Sequence, residues 1–487
     1  MRLFRASPAR DPTPLLNSDN DDVYPVHMLD DTKTLRNIVV TWTLRFNDVL
    51  DADKLHASLS KLLDIGDWRK VGGRLRLKDG KLEIHVPRPF TAERPAVSYT
   101  HQALDMNIES HSLAKTLPRA TDGPSIQPGL RDFICQYRDT PQLSLHVTSF
   151  DDATLVALSW PHTLMDVMGQ QALLRGWSLV LAGRDSEVPP LLGVREDAIC
   201  AAADYPVKKE DQEEFEVGRK RLRGWAMFMF GLRFAWDLLW NQVVETRTIY
   251  LPKKVVAELQ RQTQGELPAT DGERPFISEG DVLTAWAVRA VASSLPQPRP
   301  VTVVHALNAR FRLSSLVQTS GVYVQNMAVA AFTFLTPDIA TSLGPVALEN
   351  RRHLMEQSTE AQVLAFLREL RSTSGSDPAL VLCGEPDAVL MPFTNWTRAD
   401  FFKTADFSPA LVRAGETGPS RSNPPGTMVF HHAQSMRQGP TVRNVVVVLG
   451  KDYGDNYWLT GILLPQAWAK IEEDISRCNE RYAPTTV

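Results

Sequence analysis

Cysteine is scarce in this chain of 487 residues: Cys135, Cys200, Cys383 and Cys478 stand far apart and none forms a CxxC pair. Their spacing excludes a disulfide framework and a thiolate metal site, and fits a reducing, cytoplasmic setting. The chain also lacks a GxSxG elbow, a P-loop, a GxGxxG turn, an HExxH helix and any Cys/His cluster. Those absences remove the simple routes to a serine hydrolase of the usual α/β type, an NTPase, a Rossmann dehydrogenase or a zinc protease. No metal is expected. Excess positive charge is missing too: with a net charge of -4 and no basic run to suggest it, nucleic acid is not an expected partner.

Long apolar runs are few. Residues 1–10 lack the apolar core of a signal peptide. The segment 225–244 is rich in aromatics (Trp225, Phe228, Phe230, Phe234, Trp236, Trp240), but Arg233 and Asp237 interrupt it, which argues against a membrane span. Its composition favours a helix packed on the protein with the aromatic-rich face as core. A helix lying on a membrane surface is the alternative.

What is present suits a large globular protein. Hydrophobic residues at 43% and charged residues at 23% can build packed cores, and the length allows two domains. Residues 37–46 alternate, with Ile38, Val40, Trp42, Leu44 and Phe46 on one face of a half-buried strand. Leu55, Leu59, Leu62 and Leu63 then carry a helix over 51–63. Asp79-Gly80 marks a hairpin between 72–77 and 81–86, and Asp151-Asp152 a second between 142–150 and 153–160. Pro189-Pro190 and the charged run 208–214 mark a crossover. Beyond it, Ser278-Glu-Gly-Asp281 is a capping-box pattern, and 301–306, 322–334, 428–431, 444–449 and 457–464 read as strands. The expected division is 1–205, an N-terminal α/β domain; 206–245, a linker with an amphipathic helix; and 246–487, a C-terminal α/β domain. The expected place for a site in such an arrangement is the cleft between the two.

One histidine base is the simplest remaining device. Three His-x-x-x-Asp matches occur: His27 to Asp31, His101 to Asp105, and His162-Thr-Leu-Met-Asp166. Only the third closes a strand-like run, 154–160, and precedes a helical pattern. His27 lies in a polar stretch, and His101 has no strand reading before it. An imidazole held at a strand end can take a proton from an alcohol near neutral pH; a satisfied core histidine is the competing reading.

Around His162, motifs in matching order resemble the BAHD acyl-CoA-dependent acyltransferases, especially their divergent branch in fungal secondary metabolism. His162-Thr-Leu-Met-Asp166 is similar to the HxxxD motif, with Val167 where glycine usually follows. Leu55-His-Ala-Ser-Leu-Ser-Lys-Leu-Leu63, Gly73-Arg-Leu-Arg76, Ser278 to Trp286, Asn308-Ala-Arg-Phe-Arg312 and Thr394-Asn-Trp396 resemble further family segments. The DFGWG motif survives only as Asp406-Phe-Ser-Pro-Ala410, with both glycines gone.

The resemblance implies two chloramphenicol-acetyltransferase-like α/β domains of mixed sheet and helices, with the active site at their interface. It implies an acyltransferase, an acetyltransferase above all, in which His162 deprotonates a hydroxyl of a small apolar natural product for direct attack on an acyl-CoA thioester. Trp396 and Thr394 are the implied oxyanion donors. Asp166, paired with Arg310, and Asp406 are implied structural residues. Acyl-CoA would be a co-substrate rather than a bound cofactor, its ligands unassigned, and the protein a cytoplasmic monomer. Two alternatives stay open: a condensation-type enzyme fed by a carrier protein, whose HHxxxDG is broken here by Pro161 and Val167, and a non-catalytic member of the fold.

Overall fold

The structure, a computed structural model, describes residues 20–128, 141–204, 213–269, 273–317, 319–372, 377–415, 421–435, 439 and 441–482. Residues 1–10, Cys135, most of the charged run 208–214 and part of the proline-rich loop 415–426 lie outside the described residues.

The alternation of 37–46 produces the strand Val39–Phe46, second from one edge of a five-stranded sheet. Phe430–Ser435 and Thr154–Pro161 flank it, both antiparallel; Ser144–Ser149 and then Ser98–Ala103 complete the sheet. His101 therefore lies on an edge strand, where the sequence offered no strand reading. Trp42, Leu44 and Phe46 are fully buried under the helices Ala52–Leu62 and Val167–Leu181. Leu55, Leu59, Leu62 and Leu63 face that core as their spacing predicts. Trp177 crosses between the helices, donating to Leu55 O at 3.1 Å and Ser58 Oγ at 2.9 Å. The opposite face is not open to water as expected of a half-buried strand: Thr41, Thr43 and Arg45 are buried as well.

A second sheet covers that polar face. Its seven strands run in the order Ala328–Leu335, Val301–Asn308, Val389–Asn395, Val445–Lys451, Tyr457–Leu463, Glu245–Leu251, Ser125–Pro128. Helices Lys253–Gly265, Glu279–Ser293, Leu343–Gln357 and Pro465–Tyr482 supply its own core with Trp286 and Trp468. The capping box forms as written in sequence: Asp281 N donates to Ser278 Oγ at 3.3 Å, and Ser278 N returns a bond to Asp281 Oδ2 at 2.8 Å. The division expected at 205 and 246 is crossed twice. Ser125–Pro128 joins the second sheet, and Phe430–Ser435 the first.

The glycine-free Asp406 segment solves its turn in another way. Asp406 Oδ1 accepts from Ser408 N at 3.0 Å, and a 3-10 turn, Ser408–Ala410, follows. The tight approach falls to Gly426, at φ +79°, whose missing Cβ would sit 2.4 Å from the Ser408 backbone. Phe407 is sealed between Phe46 (5.2 Å, stacked) and Trp177 (4.6 Å).

The aromatic segment forms the helix Gly224–Trp240, and its orientation corrects the expectation. Phe230 is its one buried residue, while Trp225, Phe228, Leu232, Trp236, Leu239 and Trp240 are exposed. No helix among the described residues is long and apolar enough to cross a membrane.

Removing the Phe407 ring by Phe407→Ala should cost about 3–5 kcal/mol of stability. The check is the midpoint of chemical denaturation; an unchanged midpoint would show that the ring does not tie the segment to the core.

Candidate active site at the seam of the two sheets

His162 is the first residue beyond the strand Thr154–Pro161. Its main chain is held from both sides of the seam: its N–H donates to Ile38 O at 2.9 Å, and its carbonyl accepts from Asn326 Nδ2 at 2.8 Å. Asn326 is itself fixed by Asp30, whose Oδ1 accepts from both its N and its Nδ2 at 2.7 Å. The residue keeps part of its surface open, but Nδ1 is enclosed and makes no hydrogen bond. Burial holds the imidazole pKa below its ordinary 6.5, against the opposing pull of its own carbonyl, the Asp166 charge and the Asn326 amide. At neutral pH the ring is therefore a neutral base.

Asp166 turns away from that ring to perform three fastening tasks. Oδ1 caps the helix Val167–Leu181, accepting from Met168 N and Gly169 N at 3.1 Å. Oδ2 accepts from Arg310 Nη1 at 2.7 Å and from Met327 N at 2.9 Å. Arg310 continues the clamp by donating Nη2 to the carbonyls of Tyr323 (3.2 Å) and Gln325, while Asn308 Oδ1 fixes its backbone at 2.9 Å. The segment that the sequence suggested would begin a strand at 322 stays irregular until Ala328, because its carbonyls and amides serve this clamp. Gly169 is required at the contact: a Cβ there would lie 2.3 Å from Val324 O.

Trp396 is brought to the same core, with Thr394 bonded to it. The Trp396 ring packs on the cluster that contains Leu164 and Met165, with Phe401 edge-on at 6.2 Å. Its Nε1 donates to Thr394 Oγ1 at 3.1 Å, so the two expected donors are engaged with each other. Asp406 lies elsewhere, exposed, its N–H on Ser178 Oγ at 3.1 Å near the far end of the helix that Asp166 begins.

The other two His-x-x-x-Asp matches build nothing comparable. Buried His27 contacts Gly193 O through Nε2 at 2.5 Å, and Asp31 is taken by Arg36. His101 is exposed and meets Ser149 Oγ at 2.9 Å.

Sequence reading missed Asn326, Asp30 and His432. His432 is buried in the polar face of the first sheet; burial pushes its pKa down to about 4, and Nδ1 lies 3.4 Å from Thr460 Oγ1 across the seam. The His431-His432 doublet was its only visible signal. Among the described residues, no group of three or more His, Cys, Asp or Glu side chains could hold a metal ion.

Asp166→Asn should lose soluble, folded protein at least as strongly as turnover, since an uncompensated buried Arg310 typically costs about 3–5 kcal/mol. Expression yield, thermal melting and activity per folded molecule separate the two. A well-folded variant with only the chemical step slowed would contradict the fastening role.

No family model matches the chain. It is 38% identical over 485 residues to O-acetyltransferase PaAT-2 of Phomopsis amygdali, covering 94% of this chain and 98% of the relative. It is 36% identical over 481 residues to acetyltransferase pyiB of Pyricularia grisea, covering 93% and 94%. Among solved structures it resembles TRI101 of F. graminearum, crystallised with coenzyme A and T-2 mycotoxin. That match has a TM-score of 0.65 at 14% identity and covers 94% of this chain and 99% of that one. With these relatives along nearly its whole length, and two mixed α/β lobes meeting at an HxxxD histidine, the chain belongs to the BAHD acyltransferase family, in its branch of fungal acetyltransferases.

Proposed function

We propose that the protein moves an acyl group, acetyl above all, from acyl-CoA to a hydroxyl of a small apolar natural product, with His162 as general base. One observation carries the reading: an imidazole kept neutral by burial, on a partly exposed residue gripped through its main chain from both lobes. With Nδ1 enclosed, Nε2 is the nitrogen left to meet a substrate. It would accept the acceptor's proton as the hydroxyl oxygen bonds to the thioester carbon. Collapse of the tetrahedral centre breaks the C–S bond, and the proton passes from the imidazolium to the departing CoA sulfur. General-base help of this kind is worth about 10²–10⁴ in rate.

For the oxyanion, the geometry favours Thr394 as donor and Trp396 as its support. The indole N–H occupies Thr394 Oγ1 as an acceptor, which leaves the threonine O–H to point elsewhere. One such donor contributes about 10²–10³. Next to Thr394, a cleft of about 240 Å³ is lined by Ser278, Gly280, Arg312, Arg351 and Asn395. Arg312 and the start of the helix Glu279–Ser293 suit the phosphates of a CoA ester; Arg351, also on the cleft wall, is paired with Asp281 Oδ2 at 2.9 Å. The reading extends to a cytoplasmic monomer. Cys200, Cys383 and Cys478 are not disulfide-bonded, and both walls of the seam come from one chain.

Incubation with acetyl-CoA and candidate alcohols, with detection of free thiol, tests the assignment. Thiol release that disappears in His162→Ala is expected. Release only from an acyl-loaded carrier protein would transfer the enzyme to the condensation type, and binding without turnover would make it a non-catalytic member.

The pH profile follows from the depressed His162 pKa. The base works when neutral, so kcat/KM should be flat through neutrality and fall only as acid protonates the ring, with a midpoint below 6.5. A midpoint above 7 would contradict the enclosed, neutral imidazole.

A further inference from the structure

The helix Gly224–Trp240 is seated with the wrong face outward for a protein in water alone. Its inward side is thin: Phe230 is buried, Phe234 is half-buried, and a cavity of about 120 Å³ remains beneath them. Asp237 anchors it, its carboxylate on Arg299 Nη1 at 2.9 Å and its carbonyl accepting from Arg443 at 3.0 Å. Outward, Trp225 is 72% exposed, Trp236 56%, Leu239 67% and Trp240 70%, with Phe228 and Leu232 between them. A contiguous apolar face of this kind marks an interaction surface.

Charge says what that surface meets. Immediately before the helix the chain reads Arg219-Lys-Arg-Leu-Arg223, a short basic stretch passed over in sequence. Two carboxylates answer those four cations: Glu369 holds Arg221 and Arg223, and Glu385 lies 3.8 Å from Lys220. Arg219 and Arg233 are exposed and carry no ion pair among the described residues. Tryptophans at both ends of a helix, an apolar outer face and a basic rim are the composition of a helix that lies in a lipid interface. Two-fold association through the same face would instead set one basic rim against another.

We propose that Gly224–Trp240 lies in the surface of a membrane rich in anionic lipid, its apolar face among the acyl chains and Arg219 and Arg233 at the headgroups. The strand Val389–Asn395 starts against this helix, at the cavity under Phe230, and ends at the Thr394 side of the seam. That run is about 16–20 Å long, so an apolar acceptor dissolved in lipid would reach the enzyme close to its site.

The test is flotation of the full chain with vesicles of phosphatidylcholine, with and without about one-third phosphatidylserine. Wild type should float with the anionic vesicles and progressively less as salt rises. Trp236→Glu combined with Leu239→Glu should lower the bound fraction at least tenfold, and Arg219→Glu with Arg233→Glu should remove the preference for phosphatidylserine. Both should retain His162-dependent thiol release with a water-soluble acceptor. Quenching of wild-type tryptophan fluorescence by brominated lipid gives a readout that needs no variant. Wild type that stays unbound and unquenched overturns the proposal, as does undiminished flotation of the Glu pair. Self-association that the Glu pair abolishes, without lipid binding, assigns the face to a second copy instead.

Discussion

A single buried carboxylate, Asp166, joins everything that gives this molecule a site. It begins one helix, pairs with Arg310 from the other half of the chain, and fastens the Met327 amide. Each oxygen accepts two hydrogen bonds. Taking both charges out of water is expensive, and such a pair holds only when the remaining hydrogen bonds are made. The Tyr323 and Gln325 carbonyls take up Nη2 of the arginine, while its buried Nε makes no hydrogen bond with the protein. What this interaction secures is position: it closes the chain from 322 to 327 over the helix start, which puts Asn326 within reach of the His162 carbonyl. The catalytic candidate is therefore placed by its backbone, leaving its ring without a fixed partner.

The two sheets that meet at this seam do so through polar faces. Thr41, Thr43, Ser159 and His432 look across from the first; Thr460 reaches one of them from the second. Such faces are costly to bury unless their groups pair, and several do: Thr41 with Ser159 at 3.2 Å, His432 with Thr460. Others, among them Ser144 Oγ, Thr248 Oγ1 and His432 Nε2, make no hydrogen bond with the protein. An oxygen-bearing acceptor entering between the lobes would find donors and acceptors already facing it. Strand exchange reinforces the seam, since each sheet is completed by a strand from the other half of the chain.

Much of the local structure was legible because it obeys local rules. The period of two through Val40, Trp42 and Leu44, the Asp79-Gly80 turn with both residues at positive φ, and the Ser278–Asp281 box all specify structure within a few residues. Arg310 as the partner of Asp166 could be named because the family resemblance supplied its segment. What escaped has a common physical cause: it depends on what arrives from elsewhere in the chain. Polar Thr41 and Thr43 read as solvent-facing because the covering sheet is distant in sequence. The strands 125–128 and 430–435 could not be assigned to their sheets from local pattern. In the helix Gly224–Trp240 apolar residues occur on every side, so periodicity cannot tell inward from outward. Asn326 carries no motif at all; its importance comes from the loop that Arg310 and Asp166 close around it.

The central claim is that Asp166 and Arg310 act as one unit to hold His162, and a double-mutant cycle measures it. Asp166→Asn, Arg310→Gln and the combined variant would be compared in denaturant unfolding and in thiol release from acetyl-CoA. The double variant should be scarcely worse than either single one, with a coupling energy of about 2–3 kcal/mol in stability and matching non-additivity in kcat. Losses that simply add, to within about 0.5 kcal/mol, would contradict this, because the two residues would then act independently.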